Sequence, residues 1–172
     1  MEWTDTLILE ASNLGATSTK RAITDDVQVI PVQGVSLLHA RVHTHEETEA
    51  ALKLLQDFRA SGRRVVLCDT SYLVEDYHSV QRQLGHALVE IGHAEVVVSS
   101  GLCGREVGIG ARDEGLELSN VVVCGEARSA CEVLAHRLIA GDTVLLLGVD
   151  NETRARLILS LEKRLSRPAL AT

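Results

Sequence analysis

Two runs of small polar residues, each directly after an apolar run, are the first candidates for chemistry. They are Asp69, Thr70 and Ser71 and, further along the chain, Ser99, Ser100 and Gly101. If both apolar runs are parallel strands, the two polar runs meet at the edge of the sheet where α/β proteins usually bind ligands. Such groups contact a phosphate, a sugar or an amine. The alternative is local, since Asp, Thr and Ser also cap helices.

Three histidines, His39, His43 and His45, form the second candidate cluster. In an extended segment His43 and His45 face the same side and His39 lies along it, which is a candidate arrangement for a divalent metal. The alternative is three polar residues at a strand-to-helix corner. No nearby Asp or Cys completes a ligand set, and Glu46 and Glu47 are acids of a helix start.

The cysteines give little evidence of catalysis. The four cysteines contain no C-x-x-C spacing, which favours small buried side chains in a reducing cytosol. Cys103 lies in the glycine-bearing turn GLCGR at residues 101–105, where a helix start would activate a thiol, but no histidine is tied to it in sequence. The turn departs from the G-x-G-x-x-G fingerprint and favours close helix–sheet packing over phosphate binding. The sequence therefore predicts no catalytic residue and no cofactor.

The elements that position these residues alternate between strand and helix. Residues 64–101 contain two β-branched runs around a helical stretch at about 74–92, which is typical of a βαβ unit. Strands are also predicted at 27–32, 35–40, 120–124 and 143–148, and helices at about 43–60, 102–114, 126–139 and 151–165. The pattern predicts a three-layer α/β/α sandwich with a Rossmann-like, mostly parallel sheet of about six strands. Residues 27–168 are expected to form one domain after an N-terminal extension, residues 1–26, of uncertain structure.

Finer expectations concern single helices. Thr44, with Glu47 three residues later, predicts a capping box at the start of the first helix. On the last helix, three apolar residues are expected to face the core and four basic ones the solvent. They are Ile158, Leu159 and Leu161, and Arg154, Arg156, Lys163 and Arg164.

Composition excludes several classes of function. The net charge is −7, and only four residues are aromatic, which argues against binding of nucleic acid. The first residues, MEWTDTLILEAS, lack the basic region of a signal peptide, and no run approaches the roughly 20 apolar residues of a membrane span. We therefore expect a cytoplasmic protein that contacts no membrane.

Three stretches of the chain resemble the C-terminal domain of the Mur ligases, most of all the branch that attaches D-alanyl-D-alanine. The family pattern L-G-D-M-x-E-L-G is similar to LCDTSYLV at residues 67–74, followed by Gln81 and Gly85. The family's late strand, G-D-x-V-L-x-K-G-S-R, is similar to GDTVLLLGVD at residues 141–150. The pattern D-x-Y-N-A-N-P-x-S falls on residues 39–47. The resemblance covers about residues 27–165 and implies the same α/β fold.

The departures from these patterns fall on the polar positions. The framework residues are kept, whereas the late-strand Lys, Ser and Arg are replaced by Leu147, Val149 and Asp150. The family Glu and His are replaced by Tyr72 and Gln81. A lysine that meets phosphate or carboxylate loses that role when leucine replaces it. The chain also contains no Gly-Lys-Ser or Gly-Lys-Thr tripeptide to cradle ATP phosphates.

These departures leave three hypotheses. The first is a stand-alone, non-catalytic domain that acts as a binding, regulatory or interaction module, with itself as one candidate partner. The second is the C-terminal piece of a split ATP-dependent ligase of peptidoglycan precursors, whose P-loop partner is a separate chain. The third is a small enzyme or nucleotide binder that uses the crevice at Asp69 and Ser100.

Overall fold

The computed structural model describes residues 27–72 and 78–165. The strands are β1 (Val27–Val32), β2 (Val35–Ala40), β3 (Arg64–Asp69), β4 (Val96–Ser100), β5 (Val121–Val123) and β6 (Thr143–Leu147). The helices are α1 (His45–Asp57), α2 (His78–Glu90), α3 (Gly104–Asp113), α4 (Ala127–Arg137) and α5 (Asn151–Leu165). The N-terminal extension and residues 74–77 of the predicted second helix lie outside the described ranges.

The six strands form one sheet in the order β1-β2-β6-β3-β4-β5. Only β1 and β2 pair in antiparallel fashion, through the turn at Gln33 and Gly34, and every other pairing is parallel. The predicted fold class is therefore confirmed. The last strand in sequence lies in the middle, between β2 and β3.

Two apolar cores, one on each face of the sheet, separate the layers. Alternate strand residues such as Leu67 and Leu146 pack against α4 and α5, while Val66 and Leu145 pack beneath α1, α2 and α3. The central strands β3, β4 and β6 are buried along almost their whole length, as expected for parallel strands covered on both faces.

Helix boundaries agree with the sequence to within a few residues. The Thr44 side chain accepts a hydrogen bond from the Glu47 amide at 3.1 Å, and Glu47 Oε2 accepts one from the Thr44 amide at 3.1 Å, which confirms the capping box.

The predicted faces of α5 require one correction. Leu159 is 55% exposed, and Leu157 instead joins Leu161 in the core, because residues 157 and 161 are one helical turn apart on the sheet-facing side. Arg154 also turns inward and donates a hydrogen bond to His39 Nδ1 at 3.0 Å.

Two glycines allow α2 and α3 to touch backbone to backbone. A Cβ on Gly110 would lie 2.0 Å from the Arg82 carbonyl oxygen, and one on Gly85 would lie 2.1 Å from the Val107 carbonyl oxygen. Any side chain at either position would force the two helices apart.

Asp142 ties together four segments at the amino edge of the sheet. Its side chain is fully buried and accepts hydrogen bonds from the Arg63 amide at 3.1 Å, from Arg63 Nη2 at 2.7 Å and from the Ile139 amide at 3.0 Å. Its carbonyl accepts from the Ser36 amide at 3.0 Å. The start of β2, the start of β3, the end of α4 and the start of β6 therefore meet at one residue, Asp142, through its carboxylate or its main-chain carbonyl.

Within residues 27–72 and 78–165, no helix combines the length and the apolar character that crossing a bilayer requires.

We expect Gly110→Ala to lower the free energy of unfolding by about 1–3 kcal/mol, because overpacking outweighs the better helix propensity of alanine. Urea unfolding followed by circular dichroism measures this. Gly125→Ala is the matched control, since nothing lies within 4 Å of a Cβ there. Equal midpoints for the two variants would contradict the close helix contact.

We expect Asp142→Asn to cost roughly 3 kcal/mol, because it removes a buried carboxylate that pairs with the partly exposed Arg63 and accepts hydrogen bonds from two main-chain amides. Burial works to raise the Asp142 pKa, but the hydrogen bonds from Arg63 and Ile139 prevail and hold that pKa below its ordinary value. The stabilisation is therefore complete above the carboxyl's unfolded pKa and is lost as the pH falls through the lowered value. Chemical unfolding between pH 2 and 7 should show a flatter acid limb for the variant, and parallel curves would refute the assignment.

Candidate functional site

The carboxyl ends of β3 and β6 lie side by side, and we call the region between residues 69–71 and residues 148–150 the crevice. The helix that follows β3 lies on the face of α1, α2 and α3, whereas α5, which follows β6, lies on the other face. The chain therefore leaves these neighbouring strands in opposite directions, and such a switch point is where open α/β sheets bind ligands. Residues 69–71 line one side and residues 148–150 the other.

The Asp69-Thr70-Ser71 run combines a local turn with a link between loops. Asp69 Oδ1 accepts a hydrogen bond from the Ser71 amide at 3.1 Å. Thr70 Oγ1 donates to the Ser100 carbonyl at 2.8 Å and accepts from the Cys103 amide at 3.2 Å. Thr70 thus joins the β3 and β4 loops, whereas Asp69, which is 2% exposed, holds the turn that follows β3.

Ser99 and Ser100 differ sharply in their surroundings. Ser99 Oγ donates to the Gly104 carbonyl at 2.7 Å and so fixes the start of α3. Ser100 Oγ is buried and has no hydrogen-bond partner in the described part of the chain. Ser100 pairs with Asp69 across β3 and β4, so both side chains lie on the α4 and α5 side of the sheet. A buried hydroxyl without a hydrogen-bond partner lowers the free energy of unfolding by about 1–3 kcal/mol. This position is therefore a candidate contact for a ligand.

The close approach of the two polar loops requires a glycine at position 101. Its φ of +86° lies in the left-handed region, and a Cβ there would lie 2.6 Å from Thr70 Oγ1 and 2.8 Å from Ser71 Oγ. Only glycine fits, because the two polar loops come this close. The sequence prediction that the two polar runs lie together is confirmed by the β3–β4 register, and their role in binding remains a prediction.

Cys131 and Asp150 lie near Asp69. The sequence indicated neither of them as a candidate site residue. Burial, followed by the charges of Asp69 and Asp150, raises the pKa of the Cys131 thiol to about 11. The thiol is therefore protonated at neutral pH and is a poor nucleophile. Asp150 Oδ1 accepts a hydrogen bond from the Thr153 amide at 2.6 Å and caps the first turn of α5.

Two residues that stand where the family pattern has polar ones lie in the apolar cores. Leu147 is completely buried beneath α1, and Val149 packs with the opposite core. Gln81, at the position of the family His, is also buried. The crevice therefore contains no lysine where the family pattern has one.

Both ring nitrogens of His39 make hydrogen bonds within the fold. Since a carbonyl only accepts, His39 Nε2 donates to the Val149 carbonyl at 2.8 Å, and Nδ1 accepts from Arg154. Burial, opposed in part by that carbonyl bond, lowers the His39 pKa. His43 and His45 are exposed, and residues 27–72 and 78–165 contain no group of three His, Cys, Asp or Glu side chains that could hold a metal ion.

The comparisons with known proteins identify the fold. No family model matches the sequence, and no curated protein matches it. A single domain from Haemophilus ducreyi, assigned to a UDP-N-acetylmuramate ligase, matches at a TM-score of 0.57 and 11% identity over 81% of this chain and 98% of that domain. This chain has the fold of a Mur ligase domain.

Full-length Mur ligases match over part of their length. MurF of Acinetobacter baumannii gives a TM-score of 0.62 at 14% identity, over 79% of this chain and 30% of that one. MurF of Thermotoga maritima, crystallised with ADP, gives 0.53 at 18% identity, over 80% and 30%. The chain therefore spans about a third of these ligases, and the low identity shows the shared fold alone.

Two open grooves lie away from the crevice. One of about 710 Å³ runs between α4 and α5, and one of about 430 Å³ lies between α2 and α3. Among the described residues, the lining of neither groove includes a buried polar group without a partner. We favour the crevice because its chemistry, rather than its size, indicates a ligand.

The place of residues 148–150 in the site follows only from the strand order. Residues 141–150 are recognisable in sequence as a late strand and its following turn, but their place beside Asp69 depends on β6 inserting between β2 and β3.

We expect His39 to make the fold sensitive to mild acid. Because the folded-state pKa is lowered, its neutral form stabilises the protein fully above the ordinary histidine pKa of about 6.5, and this stabilisation is lost as the pH falls from there towards the lowered value. His39→Gln keeps a donor for Val149 and should flatten the change in unfolding free energy between pH 7 and 5. His43→Gln, at an exposed ring, is the control and should retain the wild-type slope. An unchanged slope in His39→Gln would refute the assignment.

Proposed function

We propose that this chain is a binding module with a Mur ligase fold that holds a small polar ligand in the crevice between β3 and β6 and does not hydrolyse ATP by itself. The observation that supports this most is the buried hydroxyl of Ser100, which has no hydrogen-bond partner among the described residues and pairs in register with Asp69. A hydroxyl and a carboxylate on one face suit a ligand with an amine or sugar hydroxyl groups.

The charge of the crevice argues against a phosphate ligand. Asp69 and Asp150 both contribute negative charge near Cys131, and the family lysine and arginine positions hold Leu147 and Asp150. A phosphate would meet two carboxylates without a lysine, so an amine is favoured electrostatically. The absence of a Gly-Lys-Ser or Gly-Lys-Thr loop from the sequence supports the lack of ATP hydrolysis.

The test is a thermal-shift panel of amino acids, amino sugars, neutral sugars and nucleotides. A ligand at 100 times its dissociation constant adds about 2.7 kcal/mol of stability. We expect Ser100→Ala to fold as stably as the wild type, because it removes an unsatisfied buried group, yet to lose the ligand-induced shift. Ser99→Ala should lose about 1 kcal/mol with its bond to Gly104 but keep the shift.

The neighbouring serines thus give opposite results, which separates binding from folding. A panel that leaves the transition unmoved, or a Ser100→Ala variant that keeps the full shift, would refute the binding site. ATP turnover by the purified chain above the buffer rate would refute the non-catalytic role.

A second candidate function is the C-terminal piece of a split ligase of peptidoglycan precursor synthesis. Leu102, directly after Gly101 at the carboxyl edge, is 96% exposed, and Val123 at the end of β5 is also exposed. Exposed apolar side chains beside a binding crevice are a candidate contact for a second protein. Affinity capture from the native host should then recover a protein with a G-K-[ST] loop, and Leu102→Glu should abolish its recovery.

A further inference from the structure

The groove between α4 and α5 is positively charged in a protein whose net charge is negative. It lies towards the C-terminal ends of both helices, far along the chain from the crevice loops. Its lining includes an apolar floor, three permanent cations and one acid: Val133 and Ala135, then Arg137, Lys163 and Arg164, and Glu132.

Two of the cations of this groove bind main-chain carbonyls rather than carboxylates. Arg164 donates hydrogen bonds to the carbonyls of Ala135 and Leu138, and Arg137 Nη1 donates to the Ser119 carbonyl at 2.8 Å. Carbonyl partners satisfy these donors without neutralising them, and Lys163 is exposed. The groove therefore favours an acidic occupant with some apolar surface.

An acidic turn with such a surface lies beside the groove in the same chain. Residues 112–118, RDEGLEL, carry three acids against one arginine, and Asp113 and Glu117 are exposed. Leu118, at the end of this turn, is 66% exposed. The bond from Arg137 to Ser119, the residue that follows the turn, places the end of the turn next to one end of the groove.

We propose that two copies of this chain associate through that surface, with the acidic turn of each copy, residues 112–118, docked in the α4–α5 groove of the other. A two-fold axis makes both contacts at once, because each copy presents a turn and a groove side by side. Leu118 would cover the apolar floor at Val133 and Ala135, while Glu117 faces Lys163. Ile139, which follows α4 and is 54% exposed, adds apolar surface near Arg137.

The occupant is a second copy because the acidic turn of this chain complements its own α4–α5 groove in charge and in apolar surface. Closure by a two-fold axis also leaves no complementary patch exposed, so association stops at the dimer. This inference goes beyond the proposed function and involves neither Ser100 nor Asp69.

Sedimentation equilibrium of the full chain at low ionic strength should show a concentration-dependent dimer that weakens as salt is added. Glu117→Lys and Lys163→Glu should each raise the dissociation constant about tenfold or more, since each places like charges at both symmetric contacts. An equimolar mixture of the two variants should recover the dimer, because every contact across the mixed pair joins Lys to Glu.

Glu90→Lys makes the same charge change as Glu117→Lys on an exposed position of α2 and should leave the dimer intact. A wild-type chain that stays monomeric overturns the proposal, including one that uses its groove to capture another polypeptide. A dimer that survives Glu117→Lys, or a mixture of the two variants that fails to associate while both remain folded by circular dichroism, also overturns it.

Discussion

The buried carboxylate of Asp142 is the constraint on which the arrangement of the sheet depends. Taking a charge out of water is costly unless its partners are fixed in place, and here the partners of the carboxylate are Arg63, which precedes β3, and the Ile139 amide, which follows α4. Arg63 N and Nη2, the Ile139 amide and, through the main chain, Ser36 converge on this residue. Gly141 precedes it with a φ of +97°, which allows the chain to turn into β6. The amino edge is thereby closed around a single residue.

The carboxyl edge follows a different rule. Its loops are joined by Thr70, and its glycine at position 101 allows them to approach, but Ser100 has no hydrogen-bond partner among the described residues. This buried hydroxyl at the switch point of the sheet, rather than the size of a cavity, is the basis of the ligand site proposed there.

Core packing and amino-edge hydrogen bonds explain the residues at several positions of the resembling family pattern. Leu147 and Val149 stand at positions where the resembling family pattern has polar residues, and both fill the cores on either side of the sheet. Gly141 and Asp142, by contrast, match that pattern and hold the amino edge. Packing in the two cores and the hydrogen bonds at the amino edge therefore account for these residues without any role in ligand binding. The structural similarity, at 11–18% identity, is a similarity of fold.

The sequence alone determined the elements, since each of them depends on local patterns. The β-branched runs at β3 and β4, the Thr44 capping box and the alternation of strands with amphipathic helices require only neighbouring residues. It also brought Asp69 and Ser100 to one edge, because parallel strands end together. Only the tertiary structure decided that β6 inserts between β2 and β3, since strand order depends on long-range pairing that no local pattern encodes. That order placed residues 148–150 beside the end of β3 and made His39 a buried link between Val149 and Arg154 rather than a metal ligand.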